Sequence, residues 1–182
     1  MKYLSLDLET TCLQPSPDHI LQLSIVVEDT TKADIPVEEL PHFTCFVKQP
    51  KIVGEAYALG MNGWILDFIS GRVKNAPYPV LEPTLAWREA RDFIEEHFGT
   101  TKVTVAGKNV AGFDIPFLPD EIRKSFRHKV LDPGPMMVNW ATDDQVPNFP
   151  LCKERAGLEG DVKHDAREDA MDVIRLLRKF YA

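Results

Sequence analysis

The chain has 182 residues, of which 44% are hydrophobic and 27% charged, a composition typical of a globular domain rather than of a disordered or collagen-like chain. It carries 28 acidic and 21 basic residues, and the net charge of -7 argues against a broad cationic face that holds duplex DNA. The three cysteines include no CxxC pair, which indicates reduced thiols and no zinc site.

The sequence predicts neither membrane insertion nor export. Every apolar run is much shorter than the ~20 residues of a membrane span. Asp7 interrupts the N-terminal apolar stretch where a secretory signal would continue. We therefore expect a cytoplasmic protein that forms a single domain over residues 1–182 and contacts no membrane.

Three strands are predicted in the first 50 residues of the chain. Residues 3–8 alternate larger apolar side chains with small or polar ones, and residues 21–27 and 42–48 are two further strand-like runs. Because the connections between these runs are short, we expect antiparallel pairing.

Helices are expected to dominate the middle of the chain. Residues 56–69 predict one helix or two short ones, and an apolar stripe over residues 84–98 predicts a longer helix. Residues 102–106 predict a short strand, and residues 113–118 predict an apolar turn or short helix. The proline-rich residues 133–150 are expected to be mostly loop, with a short helix at Met136 to Ala141 at most.

The most regular helical pattern covers residues 165–181, where apolar side chains form one stripe. Asp165 and Glu168 have the spacing of a capping box, so Asp165 would cap the helix and Asp169 would be its fourth residue. A carboxylate held by the first turn of a rigid helix can serve as a metal ligand. His164 lies one residue outside the helix, and a lone histidine in such a place is more often a surface residue than a catalyst.

Two further acidic positions stand out. Asp7 and Glu9 are two apart in the first strand, so their side chains share one face, which a solvated strand end would also explain. Leucines flank Asp7 in a core-like strand, where an unpaired carboxylate is costly, and this favours a Mg²⁺ or Mn²⁺ site. Asp114 lies at a loop-to-helix junction, where a helix cap is the alternative.

The most basic local segment contains Arg123, Lys124, Arg127 and Lys129. Such a run can follow a nucleic-acid backbone, but runs of charge are also common on solvated faces. The sequence leaves both interpretations open.

Together these residues resemble the DEDD exonucleases of the ribonuclease H-like fold, in the histidine-containing DEDDh branch. Asp7-Leu8-Glu9-Thr10-Thr11 matches the first motif, residues 109–118 match the second, and His164 and Asp169 match the third. The order and separations agree over almost the whole chain. Its size is similar to that of stand-alone members such as oligoribonuclease, ribonuclease T and proofreading subunits.

The resemblance implies an α/β exonuclease domain whose central mixed sheet of about five strands is flanked by helices. It also implies a metal-dependent 3′–5′ exonuclease that releases nucleoside 5′-monophosphates from single-stranded DNA or RNA ends. It does not distinguish DNA, RNA and short oligonucleotides as substrates. A homodimer and a polymerase partner both remain open.

The resemblance also assigns roles to individual residues. Asp7, Glu9 and Asp169 would hold one divalent ion, Mg²⁺ or Mn²⁺, and Asp7 with Asp114 would hold a second. Two such ions fit an in-line displacement at phosphorus. His164 would be the general base, since imidazole titrates near neutral pH.

The resemblance implies a set of substrate-binding residues as well. The backbone near Thr10 would contact the terminal nucleotide, Leu13 and Phe113 would wedge against its base, and Asn109 belongs to the second motif. Core packing is the alternative for Leu13 and Phe113.

Two positions depart from the pattern of the family. Cys12 stands where glycine is usual, and a positive φ there would cost roughly 1 kcal/mol. Lys108 stands where histidine is frequent. Neither change removes a metal ligand, but both affect the expected shape of the terminal-nucleotide pocket.

A binding module and a nucleotide-binding domain are the alternatives to an exonuclease. A ribonuclease H-like binding or scaffold module would keep the fold without the chemistry, but such modules typically lose one or more acids, and all five groups are present here. A Rossmann domain is excluded because no GxGxxG follows the first strand.

Overall fold

The computed structural model describes residues 1–158 and 164–182, and its centre is a five-stranded mixed sheet with the order β4-β3-β2-β1-β5. Strand β1 pairs antiparallel with β2, and β2 pairs antiparallel with β3, as the short connections predicted. The two edge strands β4 and β5 run parallel to their neighbours. The strands are β1 (Lys2–Thr10), β2 (Ile20–Asp29), β3 (His42–Val47), β4 (Val80–Leu81) and β5 (Val105–Ala106). The predicted fold class is confirmed.

Helices cover both faces of this sheet. Eight are found in the described part of the chain: α1 (Ala56–Met61), α2 (Gly63–Ile69), α3 (Pro83–Phe98), α4 (Asp114–Phe117), α5 (Asp120–Arg123), α6 (Pro133–Met136), α7 (Phe149–Ala156) and α8 (Ala166–Arg178). Helix α3 packs on one face and helix α8 on the other, each over its own apolar cluster. Within the described residues, no helix is long and apolar enough to cross a membrane.

The alternation of β1 decides which face receives its acids. Leu4, Leu6 and Leu8 point into the cluster beneath α3, whereas Tyr3 packs in the cluster beneath α8. Asp7 and Glu9 therefore emerge on the α8 face, because side chains two residues apart share a side of the strand. The prediction that the two acids lie on one face is confirmed.

Helix α8 begins as its capping pattern predicted. The Asp165 side chain accepts a hydrogen bond from the Arg167 N–H at 3.0 Å, and Asp169 is the fourth helical residue. Apolar side chains of α8 pack against β1 and β2. The helix ends at Arg178, three residues before the predicted end, where backbone bonds change to the tighter i→i+3 pattern.

The structure differs from the predictions at three places in the middle of the chain. The short helix expected at Met136 to Ala141 lies at Pro133–Met136, and α7 occupies Phe149–Ala156, partly inside the predicted loop. In both helices proline occupies the first or second helical position behind a capping Asp132 or Asn148, so it starts a helix instead of breaking one. Strand β4, with only two residues, was not predicted.

Candidate active site

A cavity of about 400 Å³ lies where the end of β1, the start of α8 and the loop before α4 meet. Its walls include Asp7, Glu9, His164 and Asp169. These residues come from both ends of the sequence. The central position of β1 in the sheet and the packing of α8 across it bring them together.

Asp114 lies buried beside this cavity and is tied directly to β1. Its side chain accepts a hydrogen bond from the Leu8 N–H at 3.0 Å, between the two acids of the strand. Asp114 is the first residue of α4, and its backbone and side chain are both fixed there. The second predicted motif therefore reaches the first one in space.

Glu9, His164 and Asp169 form the tightest group of potential metal ligands. One ligand atom from each lies within 4.8 Å of the others. The Oδ1 atom of Asp169 is buried and has no hydrogen-bond partner in the described structure. A buried carboxylate oxygen without a donor is costly, and a hard divalent cation is the partner it suits best.

Electrostatic repulsion dominates the carboxylate cluster. Burial raises the pKa of Asp7 well above its ordinary value, and the charges of Asp114 and Glu9 raise it further. The pKa of Glu9 is raised to about 8, by burial and then by the charge of Asp169. Burial raises the pKa of Asp114 and of Asp169 to about 7. Bound cations would remove this penalty because they favour the ionised form of every ligand.

A hydrogen-bond network behind the cavity holds the start of α8. Asp165 accepts hydrogen bonds from the Tyr78 hydroxyl at 3.0 Å and from Gln22 Nε2 at 3.1 Å. The Oε1 atom of Gln22 accepts from the Ala166 N–H at 3.2 Å. His164, just before this cap, has a φ of 50°. The network thus fixes the residue that follows the histidine.

Gln22 and Tyr78 were not predicted to belong to the site. A fully buried glutamine inside the apolar β2 was a usable signal, because a buried amide requires partners. Tyr78 precedes a two-residue strand in an irregular segment, and no pattern distinguishes it there.

Of the predicted substrate-binding residues, Thr10, Leu13 and Phe113 line the cavity. Leu13 is 71% exposed, so it is not a core residue. The half-buried Phe113 ring packs against Phe117 with centroids 5.0 Å apart, which serves the core as well as the cavity wall. Asn109 is outside the described lining, exposed, with its backbone N–H donating to Asp132 at 2.9 Å.

The two departures from the family pattern have different consequences. Cys12 does not have a positive φ, so the turn avoids the strain expected for a residue in place of glycine. Its thiol is buried and donates to the Gln14 carbonyl. Lys108 lines the cavity and brings a positive charge to its wall. Tyr57, which the sequence did not single out, also lines the cavity and is 81% exposed.

This chain is similar to known proteins in structure but matches none of them by sequence. No protein-family model matches the chain, and no curated protein matches it significantly. Exonuclease I of E. coli, in a zinc-bound complex with single-stranded DNA, superposes with a TM-score of 0.55 at 18% identity over 98% of this chain. Another structure of exonuclease I gives 0.57 at 16% identity, also over 98% of this chain. The E. coli enzyme with a dT13 oligonucleotide gives 0.54 at 18% over 99%.

This chain spans 41% of the length of each of those exonuclease I chains. The likeness extends over 98–99% of this chain. At this level of identity it establishes the architecture. The chain has the α/β fold of exonuclease I, a mixed five-stranded sheet flanked by helices.

Proposed function

We propose that the chain is a metal-dependent 3′–5′ exonuclease that removes nucleoside 5′-monophosphates from single-stranded DNA or RNA ends. The observation that carries the proposal is that Asp7, Glu9, Asp169 and His164 line one cavity and that Asp114 is buried directly beside it. Four buried or half-buried carboxylates so close together weaken a fold unless cations neutralise them, and a cost of this kind is typical of a functional site.

The donor set fits two divalent ions, Mg²⁺ or Mn²⁺. It consists of carboxylate oxygens, the ligands these ions prefer. The Oδ1 atom of Asp169 accepts no hydrogen bond in the described structure, so its lone pairs are free to coordinate a cation. Asp7, Glu9 and Asp169 would hold one ion, and Asp7 with Asp114 the other. Bound there, the ions would neutralise the phosphodiester and stabilise the charge on its attacking and leaving oxygens.

His164 is the proposed general base. Its imidazole lies at the cavity within reach of Glu9 and Asp169 and accepts a proton from the water that attacks phosphorus. The new bond joins the water oxygen to phosphorus, and the bond from phosphorus to the 3′ oxygen breaks. The 3′ oxygen takes a proton from solvent and remains on the shortened strand. Asp165 holds the neighbouring backbone while His164 gains its charge.

The terminal nucleotide would lie against the apolar part of the wall. Leu13 and Tyr57 are exposed at the rim of the cavity and Phe113 lies deeper, so a base can contact all three. We expect a free, unpaired 3′ end to be required, because apolar side chains can wedge against the terminal base only when that base is unpaired. The exonuclease I structures with single-stranded DNA support this choice of substrate.

We also propose that residues 1–182 act as a single exonuclease domain in the cytoplasm. One sheet contributes to all three core clusters of the described residues, and all three cysteines are buried and free, as expected in a reducing compartment.

The test is digestion of 5′-labelled DNA and RNA oligonucleotides of graded length with Mg²⁺, Mn²⁺ or EDTA. We expect stepwise shortening from the 3′ end with metal and none with EDTA. A 3′-phosphorylated strand and a circular strand should resist. Rapid cutting of circles would identify an endonuclease, and binding without cleavage under all conditions would identify a scaffold module.

A further inference from the structure

A second cavity, of about 680 Å³, lies on the far side of the loop that carries Asp114. Its walls contain the cationic side chains of Lys102, Arg123, Arg127 and Lys129, together with His128, and no carboxylate is among its described lining residues. We call this cavity the basic groove. It collects four of the 21 lysines and arginines of a chain whose net charge is -7.

The edge of the sheet explains why these cations lie together. Phe126 and Leu131 form isolated parallel bridges to Val103 and Ala106, so residues 126–131 run beside β5. Within this segment Arg127 and Lys129 both line the groove. A neighbouring cavity of about 600 Å³ shares Arg127 and Lys129 and continues the basic surface.

Among the described residues, most of this charge has no acidic partner. In the described structure Lys102, Arg127 and Lys129 have no carboxylate within ion-pair distance, while Arg123 pairs with Asp120. Arg127 and Lys129 are exposed. A concave surface with several unpaired cations of one sign concentrates anions from solution.

The basic groove adjoins the catalytic cavity through a single turn of chain. Ala111 and Ile115 line the groove, and Phe113, between them, lines the catalytic cavity. A strand whose 3′ nucleotide occupies the cavity therefore has to cross this turn only once to reach the groove.

We propose that the basic groove binds the phosphodiester backbone of the substrate strand on the 5′ side of its terminal nucleotide. This inference rests on the proposed function, since the adjoining cavity supplies the strand. The half-buried Ile115 and Val130 give the groove an apolar floor against which sugars and bases can lie. An acidic peptide is the alternative polyanion. The position of the groove beside the cavity that would hold the 3′ nucleotide favours the nucleic-acid strand.

The test compares two double variants of equal charge change. Arg127→Gln/Lys129→Gln removes two exposed cations of the groove, and Lys48→Gln/Arg88→Gln removes two exposed cations that line neither cavity. Affinity for a fluorescent 12-nucleotide oligothymidylate is measured by anisotropy in EDTA at several salt concentrations. Lost counterion release predicts about twentyfold weaker binding at 0.1 M salt and a salt slope smaller by about 1.4 for the groove variant. The control variant should stay within about twofold of wild type.

Hydrolysis then separates this inference from the proposed function. With Mn²⁺, the groove variant should raise KM for the 12-nucleotide strand and leave kcat and dinucleotide hydrolysis unchanged. Equal behaviour of the groove and control variants overturns the inference even if wild type is an active exonuclease. Tighter wild-type binding of a labelled Asp/Glu-rich peptide than of the oligonucleotide would also overturn it and assign the groove to a protein. If wild type hydrolyses neither substrate, the proposed function fails, and the anisotropy data still decide the groove.

Discussion

The cavity that holds the carboxylates and the basic groove lie on opposite sides of the turn that carries Asp114. Their charged side chains differ in how far they are buried. In the cavity, acids are withdrawn from water, and burial raises the pKa values of Asp7, Glu9, Asp114 and Asp169. In the groove, Arg127 and Lys129 remain exposed and unpaired. Buried charges need specific partners at short range, whereas exposed charges act on a polyanion at longer range and are screened by salt. Chemistry is therefore expected in the cavity, and strand capture in the groove.

The largest difference between cavity and groove is expected when Asp7 is replaced. Asp7→Asn loses the ligand that both ions would share, and hydrolysis should fall by about 10⁴-fold or to background. Binding of the 12-nucleotide strand in EDTA should persist, because the groove is untouched. The measurements are single-turnover hydrolysis with Mn²⁺ and anisotropy.

A thermal melt checks the same residue without activity. Mn²⁺ should raise the Tm of wild type by binding to the native state, and the response of Asp7→Asn should be much smaller. An equal rise in both proteins would remove Asp7 from the metal site.

Replacement of the histidine should separate proton transfer from metal binding. His164→Ala should slow hydrolysis roughly 10²- to 10⁴-fold, the usual contribution of a positioned general base. The rise in Tm with Mn²⁺ should remain, whereas Asp169→Asn should lose both the rise and the activity. If His164→Ala retains the wild-type rate and pH profile in saturating metal, the histidine is not the base.

The acidic cluster should make the metal-free protein less stable as pH rises. Carboxyl pKa values lie near 4 in an unfolded chain, whereas burial in the fold raises the pKa of Glu9 to about 8 and those of Asp114 and Asp169 to about 7. The native state therefore holds extra protons between these values, and its stability falls as pH rises through 7 to 8. In EDTA, we expect a lower Tm at pH 8.5 than at pH 5.5.

Metal and substitution test the origin of that pH effect. Mn²⁺ at pH 8.5 should restore the Tm, and Glu9→Gln should flatten the metal-free profile. The groove variant Arg127→Gln/Lys129→Gln should keep the wild-type profile. A rise in the metal-free Tm from pH 5.5 to 8.5 would contradict the raised pKa values.

The cavity was more predictable from sequence than the groove or the network behind it. Asp7 and Glu9 follow from the period of β1, and Asp165 and Asp169 follow from capping, because both depend on neighbours within a few residues. The contact of Asp114 with the Leu8 N–H joins segments 106 residues apart, which only the resemblance implied.

Other features depend on packing that no local pattern encodes. The cations of the groove form a surface because residues 126–131 lie beside β5, and that pairing consists of isolated bridges too short to predict. Helix α7 was not predicted, because Pro150 made its start look like loop. Proline is in fact well placed in a first helical turn.

The smallest predicted effect concerns the network behind the cavity. Tyr78→Phe removes the hydroxyl that donates to Asp165 at 3.0 Å, while Gln22 Nε2 and the Arg167 N–H still donate to that carboxylate. The start of α8 should loosen without unfolding, and the free energy of unfolding should fall by about 1–2 kcal/mol, within the usual range for such a bond.

Because His164 adjoins Asp165, kcat should fall about five- to tenfold in Tyr78→Phe, a barrier increase of roughly 1 kcal/mol. KM for the 12-nucleotide strand should not change, since neither the cavity rim nor the groove is altered. Tyr181→Phe is the matched control, because it deletes a hydroxyl that is hydrogen-bonded to the Tyr3 hydroxyl at 3.0 Å and lines neither the cavity nor the groove, so kcat should stay unchanged. Unfolding curves and steady-state kinetics measure both variants. Equal losses in kcat for both would show that Tyr78 does not position His164, and a loss of stability alone would limit its role to the fold.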